Sequence, residues 1–169
     1  MRRKEKLAQT NHWDELIRLR DRQREQYSNG LQVIEREELP EEICGLGLLR
    51  WYLHPAIKDT SLSTLMFFEQ TIPPGSRSGR LHFQGGQVMM IIEGQGYTII
   101  DGVRHYWSSG DILNIPLRSD GLIVQHFNKD SDKKVRFVVA EPNWFDCVGV
   151  DRGCGFELLE EAPEASASS

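Results

Sequence analysis

The sequence predicts an all-β protein, a jelly-roll barrel preceded by one N-terminal helix. Short apolar segments follow one another along most of the chain, and Gly, Pro, Asn and Asp separate them as they separate the strands of antiparallel sheets. Asp101-Gly102 stands between two such segments, and this dipeptide is a strong signal for a hairpin turn. Helical periodicity is found at 12–28, near the start of the chain. The pattern therefore indicates a β-barrel with an added helix.

The chain divides into three predicted parts. Residues 1–30 form an N-terminal helical arm, 31–156 form the β-barrel, and 157–169 form an acidic tail. We expect the tail to be disordered because from Glu160 onward it contains acidic residues, Ala, Ser and Pro but almost nothing that could be buried.

The helix is predicted over 12–28. Asn11 can cap its N-terminus with its side chain, and Asn29-Gly30 can end it. One side of this helix carries Trp13, Leu16 and Ile17. Because this side is apolar, we expect it to pack against the barrel or a second subunit.

Strands are predicted on both sides of a central stretch at 75–94. A short strand is expected at 31–34, followed by strands at 48–53 and 63–72. After the central stretch and its hairpin, a final core strand is expected at 135–140.

The composition excludes several functional classes. The chain has 169 residues, 39% of them hydrophobic and 27% charged, which suits one soluble globular domain. Its net charge of −5 offers no basic face for nucleic acid. No apolar run approaches the roughly 20 residues that span a bilayer, and no signal peptide is evident, so we expect a cytoplasmic protein. Cys44, Cys147 and Cys154 form no paired motif, so we expect them to be reduced.

The central stretch has a distinctive spacing. Gly75 is followed by Leu81, Phe83 and Gln87, and the stretch closes at Gly94. This spacing resembles the first signature of the cupin superfamily, and among single-domain cupins it is nearest to the gentisate-dioxygenase-like group. In that family the positions of Leu81 and Phe83 hold histidines, and the position of Gln87 holds a glutamate.

A second stretch is similar to the second cupin signature. It begins at Gly110, continues through Pro116 and Gly121, and closes at Asn128. The family's remaining histidine would fall at Val124. The segment between Pro116 and Gly121 is longer than in the signature, so we expect a reshaped turn there. The resemblance implies a double-stranded β-helix, which is the cupin form of the jelly roll.

The resemblance also implies a metal site that this chain has lost. Leu81, Phe83 and Val124 have no lone pair for a cation. Gln87 offers only a neutral amide oxygen, which is a weak ligand for iron, zinc or manganese. We therefore expect no metal and no other cofactor.

Strand alternation predicts which residues face the barrel interior. His126 has the same parity as Val124, whereas His82 has the opposite parity to its neighbours Leu81 and Phe83 and should face outward. His126 is either a polar group of the pocket or a hydrogen-bonded core histidine. The predicted pocket residues are Leu81, Phe83, Gln87, Met89, Val124, His126 and Asn128.

Three functional hypotheses follow, in order of preference. The first is a metal-free cupin that binds a small apolar or aromatic molecule. The second is a cofactor-free isomerase, cyclase or hydratase in which His126 acts as general acid or base. The third is a metal-dependent dioxygenase that cleaves aromatic rings, with a metal relocated to His126 and either His82 or His105.

A homodimer is also expected. The N-terminal helix and the strand containing Leu49, Trp51 and Leu53 carry more apolar surface than one small barrel needs to cover itself. We expect these elements to form the subunit interface.

Overall fold

A computed structural model describes residues 2–145 and 156–167, and the fold over these ranges is dominated by antiparallel strands. The helices are α1 (Arg3–Leu7), α2 (His12–Asn29) and α3 (Pro163–Ser166), with a 3₁₀ turn at Arg36–Glu38. The strands are β1 (Glu42–Cys44), β2 (Gly47–Leu53), β3 (Leu65–Ile72), β4 (Arg80–Phe83), β5 (Gln87–Glu93), β6 (Gln95–Ile100), β7 (Val103–Ser108), β8 (Ile112–Ile115), β9 (Leu122–Asn128), β10 (Val135–Pro142) and β11 (Phe156–Glu160).

The strands form two sheets. The six-stranded sheet has the order β1-β2-β3-β10-β5-β8, and the five-stranded sheet has the order β11-β4-β9-β6-β7. Neighbours such as β3 and β10 are distant in sequence, so the chain crosses repeatedly between the sheets, as jelly rolls do. The all-β prediction with an N-terminal helix is confirmed.

The main core lies between the sheets and follows the alternation of each strand. In β10, for example, Val135, Phe137 and Val139 are buried and the residues between them are partly exposed. Leu49 is 0% exposed and belongs to this core, so the prediction that it contributes to a subunit interface is wrong. The buried residues of this cluster are Leu49, Phe68, Ile72, Met89, Ile91, Trp107, Val135, Phe137 and Val139.

The predicted hairpin is confirmed. Asp101 and Gly102 both have positive φ, at 48° and 83°, and they join β6 to β7 with Ile100 facing Val103. A two-residue turn with this backbone twist matches the twist of the flanking strands, which explains the choice of Asp-Gly.

Helix α2 begins and ends as predicted, but its apolar side is uncovered. The Asn11 side chain accepts hydrogen bonds from the backbone N–H groups of Trp13 and Asp14. The helix has no buried residue, and it touches the rest of the chain near its C-terminal end, where Gln26 donates to the carbonyl of Thr60. None of the helices in the described ranges is both long and apolar enough to cross a membrane.

The predicted strand at 31–34 is wrong. Leu31 forms one isolated bridge with Thr60, and the chain then enters the 3₁₀ turn at Arg36–Glu38. An ion pair holds this 3₁₀ turn in place, because the guanidinium of Arg36 lies 2.8 Å from the buried carboxylate of Glu69. This contact ties the segment to the side of β3 that faces away from the core.

The predicted disorder of 157–169 is also wrong over the part that the structure describes. Strand β11 pairs with β4, which would otherwise be an edge strand with unpaired backbone groups. Ala162 is 0% exposed, and Arg77 forms an ion pair with Glu160. The tail is therefore ordered by strand pairing, by an ion pair and by the burial of Ala162. Cys147 and Cys154 lie outside the described residues, and Cys44 is a free thiol.

Candidate functional site

Two adjoining cavities lie within the barrel. The smaller has a volume of about 30 Å³ and the larger a volume of about 440 Å³. Five residues line both of them, namely Leu46, Phe68, Leu81, Phe83 and Gln87. The larger cavity is within the range of roughly 300–1,000 Å³ that small-molecule sites occupy.

The four positions that hold metal ligands in the resembling family come together at the smaller cavity. Leu81 of β4 faces Val124 of β9 directly, and Phe83 faces Leu122 in the same register. Gln87 at the start of β5 completes the group, and all four positions line the cavity of about 30 Å³. These are the four positions that the spacing of the two signatures indicates.

Gln87 is paired with a carboxyl group that the sequence analysis missed. Its Nε2 donates a hydrogen bond to Glu141 Oε2 at 2.6 Å, and both residues line the larger cavity. Burial raises the pKa of the Glu141 carboxyl, and the hydrogen bond from Gln87 partly opposes this shift. Glu141 has the parity of the buried residues of β10, which is the signal that could have revealed it.

His126 lies at the wall of the smaller cavity and is held by a buried network. Its Nδ1 is 2.8 Å from Thr98 Oγ1, which also accepts a hydrogen bond from Trp107 Nε1 at 2.9 Å. Because the indole can only donate, the Thr98 hydroxyl proton is free to point at Nδ1, which favours the tautomer with the proton on Nε2. The ring also packs edge-on against Phe137.

Burial controls the charge of His126. It lowers the pKa of the imidazole to about 4, so the ring is neutral near pH 7. The network suits this neutral form, because Nδ1 can accept from Thr98 only when it carries no proton.

Aromatic residues outside the two signatures form much of the larger cavity. Trp51 packs against Phe68 and His54, with ring centroids 4.8 Å apart in both pairs. The backbone N–H of Ala56 donates to His54 Nδ1 at 3.0 Å and fixes that ring at the cavity wall. Further aromatic lining residues are Trp144, Phe145 and Phe156. Trp51 was predicted to form a subunit interface, and it lines the cavity instead.

Solved structures with the same arrangement identify the fold. The polyketide cyclase RemF from Streptomyces resistomycificus superposes with a TM-score of 0.58 at 13% identity, covering 80% of this chain and 89% of that chain. A cupin-like protein from Thermotoga maritima has a TM-score of 0.53 at 16% identity, covering 78% of this chain and 90% of that chain. This chain has the cupin fold. A protein from Klebsiella pneumoniae with a double-stranded β-helix domain has a TM-score of 0.53 at 17% identity, covering 78% of this chain and 99% of that chain.

Comparison with characterised sequences is less informative. A 5-aminosalicylate 1,2-dioxygenase from Comamonas sp is 26% identical over 96 residues, which is 57% of this chain and 25% of that protein. The chain therefore spans about a quarter of the length of this curated relative. No family model matches the chain. These likenesses concern the fold, and one fold can carry many unrelated functions.

The residues at the cupin metal position do not fit a metal ion. Leu81, Phe83 and Val124 have no donor atom, and the Gln87 amide is engaged with Glu141. Over residues 2–145 and 156–167, no group of three or more His, Cys, Asp and Glu side chains is placed to hold a metal. A transition metal prefers imidazole, thiolate or carboxylate ligands, and the side chains at these four positions supply none of them.

The histidines of the relocated-metal hypothesis are spread over different parts of the cupin barrel. His82 faces Ile123 across the β4–β9 ladder, on the opposite side of β4 from Leu81 and Phe83. His105 is solvent-exposed on β7, whereas His126 is buried. The predicted outward orientation of His82 agrees with this register.

Two predicted pocket residues have other roles in the structure. Met89 is fully buried in the main core. Asn128 holds a loop: its Nδ2 donates to the carbonyls of Ile72, Pro73 and Lys133, and its Oδ1 accepts from the backbone N–H of Asp130. Neither residue lines the two cavities, so their prediction as pocket residues is wrong.

Proposed function

We propose that this cupin binds a small apolar or aromatic molecule without a metal ion. The observation that carries this proposal is the continuity of the old ligand position with the larger cavity: Leu81, Phe83 and Gln87 line both. Where metal-binding cupins place histidines, this chain supplies apolar side chains that adjoin an aromatic cavity of about 440 Å³. Burying apolar ligand surface there is favourable at roughly 25 cal/mol per Å².

Catalysis by His126 without a cofactor is the second hypothesis, and the geometry supports it less. The cavity beside His126 has a volume of about 30 Å³, which corresponds to about one water molecule. A general base works best with a pKa near the working pH, and burial holds the pKa of this imidazole at about 4. The hydrogen bond to Thr98 further commits Nδ1 to the core. We therefore assign His126 a structural role.

Replacing Leu81 by Trp should weaken binding of toluene and p-cresol by at least about tenfold, because the indole of the new side chain occupies the junction of the two cavities. Isothermal titration calorimetry on the purified protein measures this, and circular dichroism checks that the variant is folded. Leu117→Trp is the matched control, because Leu117 is exposed and lines neither cavity. Leu81→Ala should instead retain binding and accept a larger ring such as 2-naphthol.

Two results would contradict the proposal. One is a stoichiometric transition metal in elemental analysis of the purified wild type. The other is equal binding by wild type and Leu81→Trp, which would place the ligand elsewhere.

We also propose that the chain forms a homodimer through α2. Trp13 and Leu16 are 68% and 60% exposed on one side of that helix, and α2 has no buried residue within its own chain. Large apolar side chains grouped on one exposed face are typical of protein interfaces. The α2 helix of a second subunit has the same apolar face and can pack against this one.

The double variant Trp13→Glu, Leu16→Glu should convert a dimer into a monomer, because it places charges in the proposed interface. Multi-angle light scattering at micromolar concentration measures the mass. Arg22→Glu, on the opposite side of α2, is the control and should leave the dimer intact. A monomer mass for the wild type would remove this proposal.

A further inference from the structure

The paired side chains of Gln87 and Glu141 form a polar group within an otherwise largely apolar cavity. They lie on neighbouring antiparallel strands. Val88 faces Ala140 across the β5–β10 ladder, so Gln87, which precedes Val88, lies next to Glu141, which follows Ala140. Both side chains project to the same side of the sheet, where they line the larger cavity. Their mutual hydrogen bond of 2.6 Å fixes their relative orientation.

Each member of this pair keeps an unused oxygen atom. The hydrogen bond joins Gln87 Nε2 to Glu141 Oε2, and the Oε1 atoms of both residues make no hydrogen bond within the described ranges. Both oxygen atoms remain accessible, because neither is one of the fully buried polar atoms that have no hydrogen-bond partner. A ligand in the cavity therefore meets two fixed oxygen atoms.

We infer that the Gln87–Glu141 pair anchors a hydroxyl group of the ligand, so that this cavity selects neutral hydroxylated aromatic molecules over aromatic carboxylates. This inference rests on the proposed function and names its ligand class. A phenolic O–H can donate to one of the free oxygen atoms while its ring packs against Phe68 and Phe83. This hydrogen bond satisfies both the ligand hydroxyl and the protein oxygen atom, and the ligand brings no charge into the barrel.

An aromatic carboxylate meets a different environment. It would bring a negative charge next to the Glu141 carboxyl, and two carboxyl groups sharing one site oppose each other's ionisation. The described residues that line the cavity include no Lys or Arg to compensate that charge. Burying an unpaired anion among apolar groups is unfavourable, so the carboxylate is disfavoured.

Three ligands that share a methyl-substituted benzene ring test the inference: toluene, p-cresol and 4-methylbenzoate. Calorimetric titration of the wild type at pH 7 should show p-cresol binding at least about tenfold more tightly than toluene, since a hydrogen bond to a buried polar group contributes that much. Binding of 4-methylbenzoate should be weaker than binding of toluene. The double variant Gln87→Leu, Glu141→Leu removes both oxygen atoms and should reduce the preference for p-cresol over toluene to less than about threefold, and toluene should still bind.

Glu141→Gln is the conservative control. It keeps an oxygen acceptor and can still pair with Gln87, so the preference for p-cresol should persist. Equal affinities of p-cresol and toluene in the wild type, or tighter binding of 4-methylbenzoate, would overturn this inference and leave the apolar cavity proposal standing. Absence of binding by all three ligands would overturn the proposed function itself.

Discussion

A barrel that carries Leu81→His, Phe83→His, Val124→His and Gln87→Glu should bind a divalent transition metal and become more stable when the metal is added. The four positions line one cavity of about 30 Å³, and Leu81 directly faces Val124 across the β4–β9 ladder. Three imidazoles and one carboxylate placed there provide donors suited to iron, nickel, copper or zinc. A metal at about 1,000 times its Kd stabilises the folded state by roughly 4 kcal/mol.

The structure adds a fifth substitution to this design. The Gln87 amide is 2.6 Å from the Glu141 carboxyl, so Gln87→Glu alone would set two carboxyl groups side by side. Such a pair resists ionisation of both members and weakens the new metal ligand. Glu141→Gln restores an amide–carboxylate pair with the two roles exchanged.

Thermal unfolding with and without zinc, together with elemental analysis, measures the effect. Without metal, each single histidine substitution should destabilise the fold by about 1–3 kcal/mol, because it buries an unpaired polar ring among apolar neighbours. Wild type is the control and should not respond to metal. Stabilisation of the wild type by iron, zinc or manganese that is lost in His126→Ala would instead favour the dioxygenase with a relocated metal.

The frame of the site could be predicted because it depends on turns and strand parity. Gly94, at the end of the first signature, has a φ of 88°, which only a glycine adopts easily, so its position in the sequence marks a required turn. Between such turns a strand alternates strictly, so Leu81 and Phe83 must share a face once the register is set. The orientation of His82 follows from the same rule.

The chemistry of the larger cavity could not be predicted in this way. The hydrogen bond between Gln87 and Glu141 joins residues that lie far apart in the sequence, and it exists only because β5 and β10 become neighbours. Trp51 and His54 reach the cavity from the end of β2 and the loop after it, where no signature specifies a partner. Long-range strand pairing therefore decides which polar group the cavity contains.

Asn128 illustrates the opposite error. It shares the inward parity of His126, so alternation placed it in the pocket. Its side chain instead satisfies backbone groups at Ile72 and Lys133, where the chain leaves β3 and approaches β10. A side-chain amide at the end of a strand can hydrogen-bond to backbone groups that have no partner in the ladder. Because an unpaired buried backbone group is unfavourable, the Asn128 amide bonds to the backbone and does not face the pocket.

Acidification should destabilise this protein through His126. The folded state keeps the ring neutral with a pKa of about 4, whereas the unfolded chain takes up a proton near the ordinary value of 6.5. Between these values the unfolded state binds more protons, so the free energy of unfolding falls as the pH falls from 6.5 to 4. The expected loss is on the order of 3 kcal/mol, since each pKa unit corresponds to about 1.4 kcal/mol.

Urea denaturation at intervals from pH 4 to pH 7 measures this loss, and His126→Gln is the matched variant. Glutamine does not titrate but can still hydrogen-bond to Thr98, so the slope of stability against pH should flatten. Glu141 acts in the opposite direction: its raised pKa means that stability is lost as the pH rises through the folded value, above 4.5. The comparison should therefore be repeated with Glu141→Gln in both proteins. Equal slopes with and without His126 would show that the ring is not held neutral, and the case for His126 as an acid or base would then regain its strength.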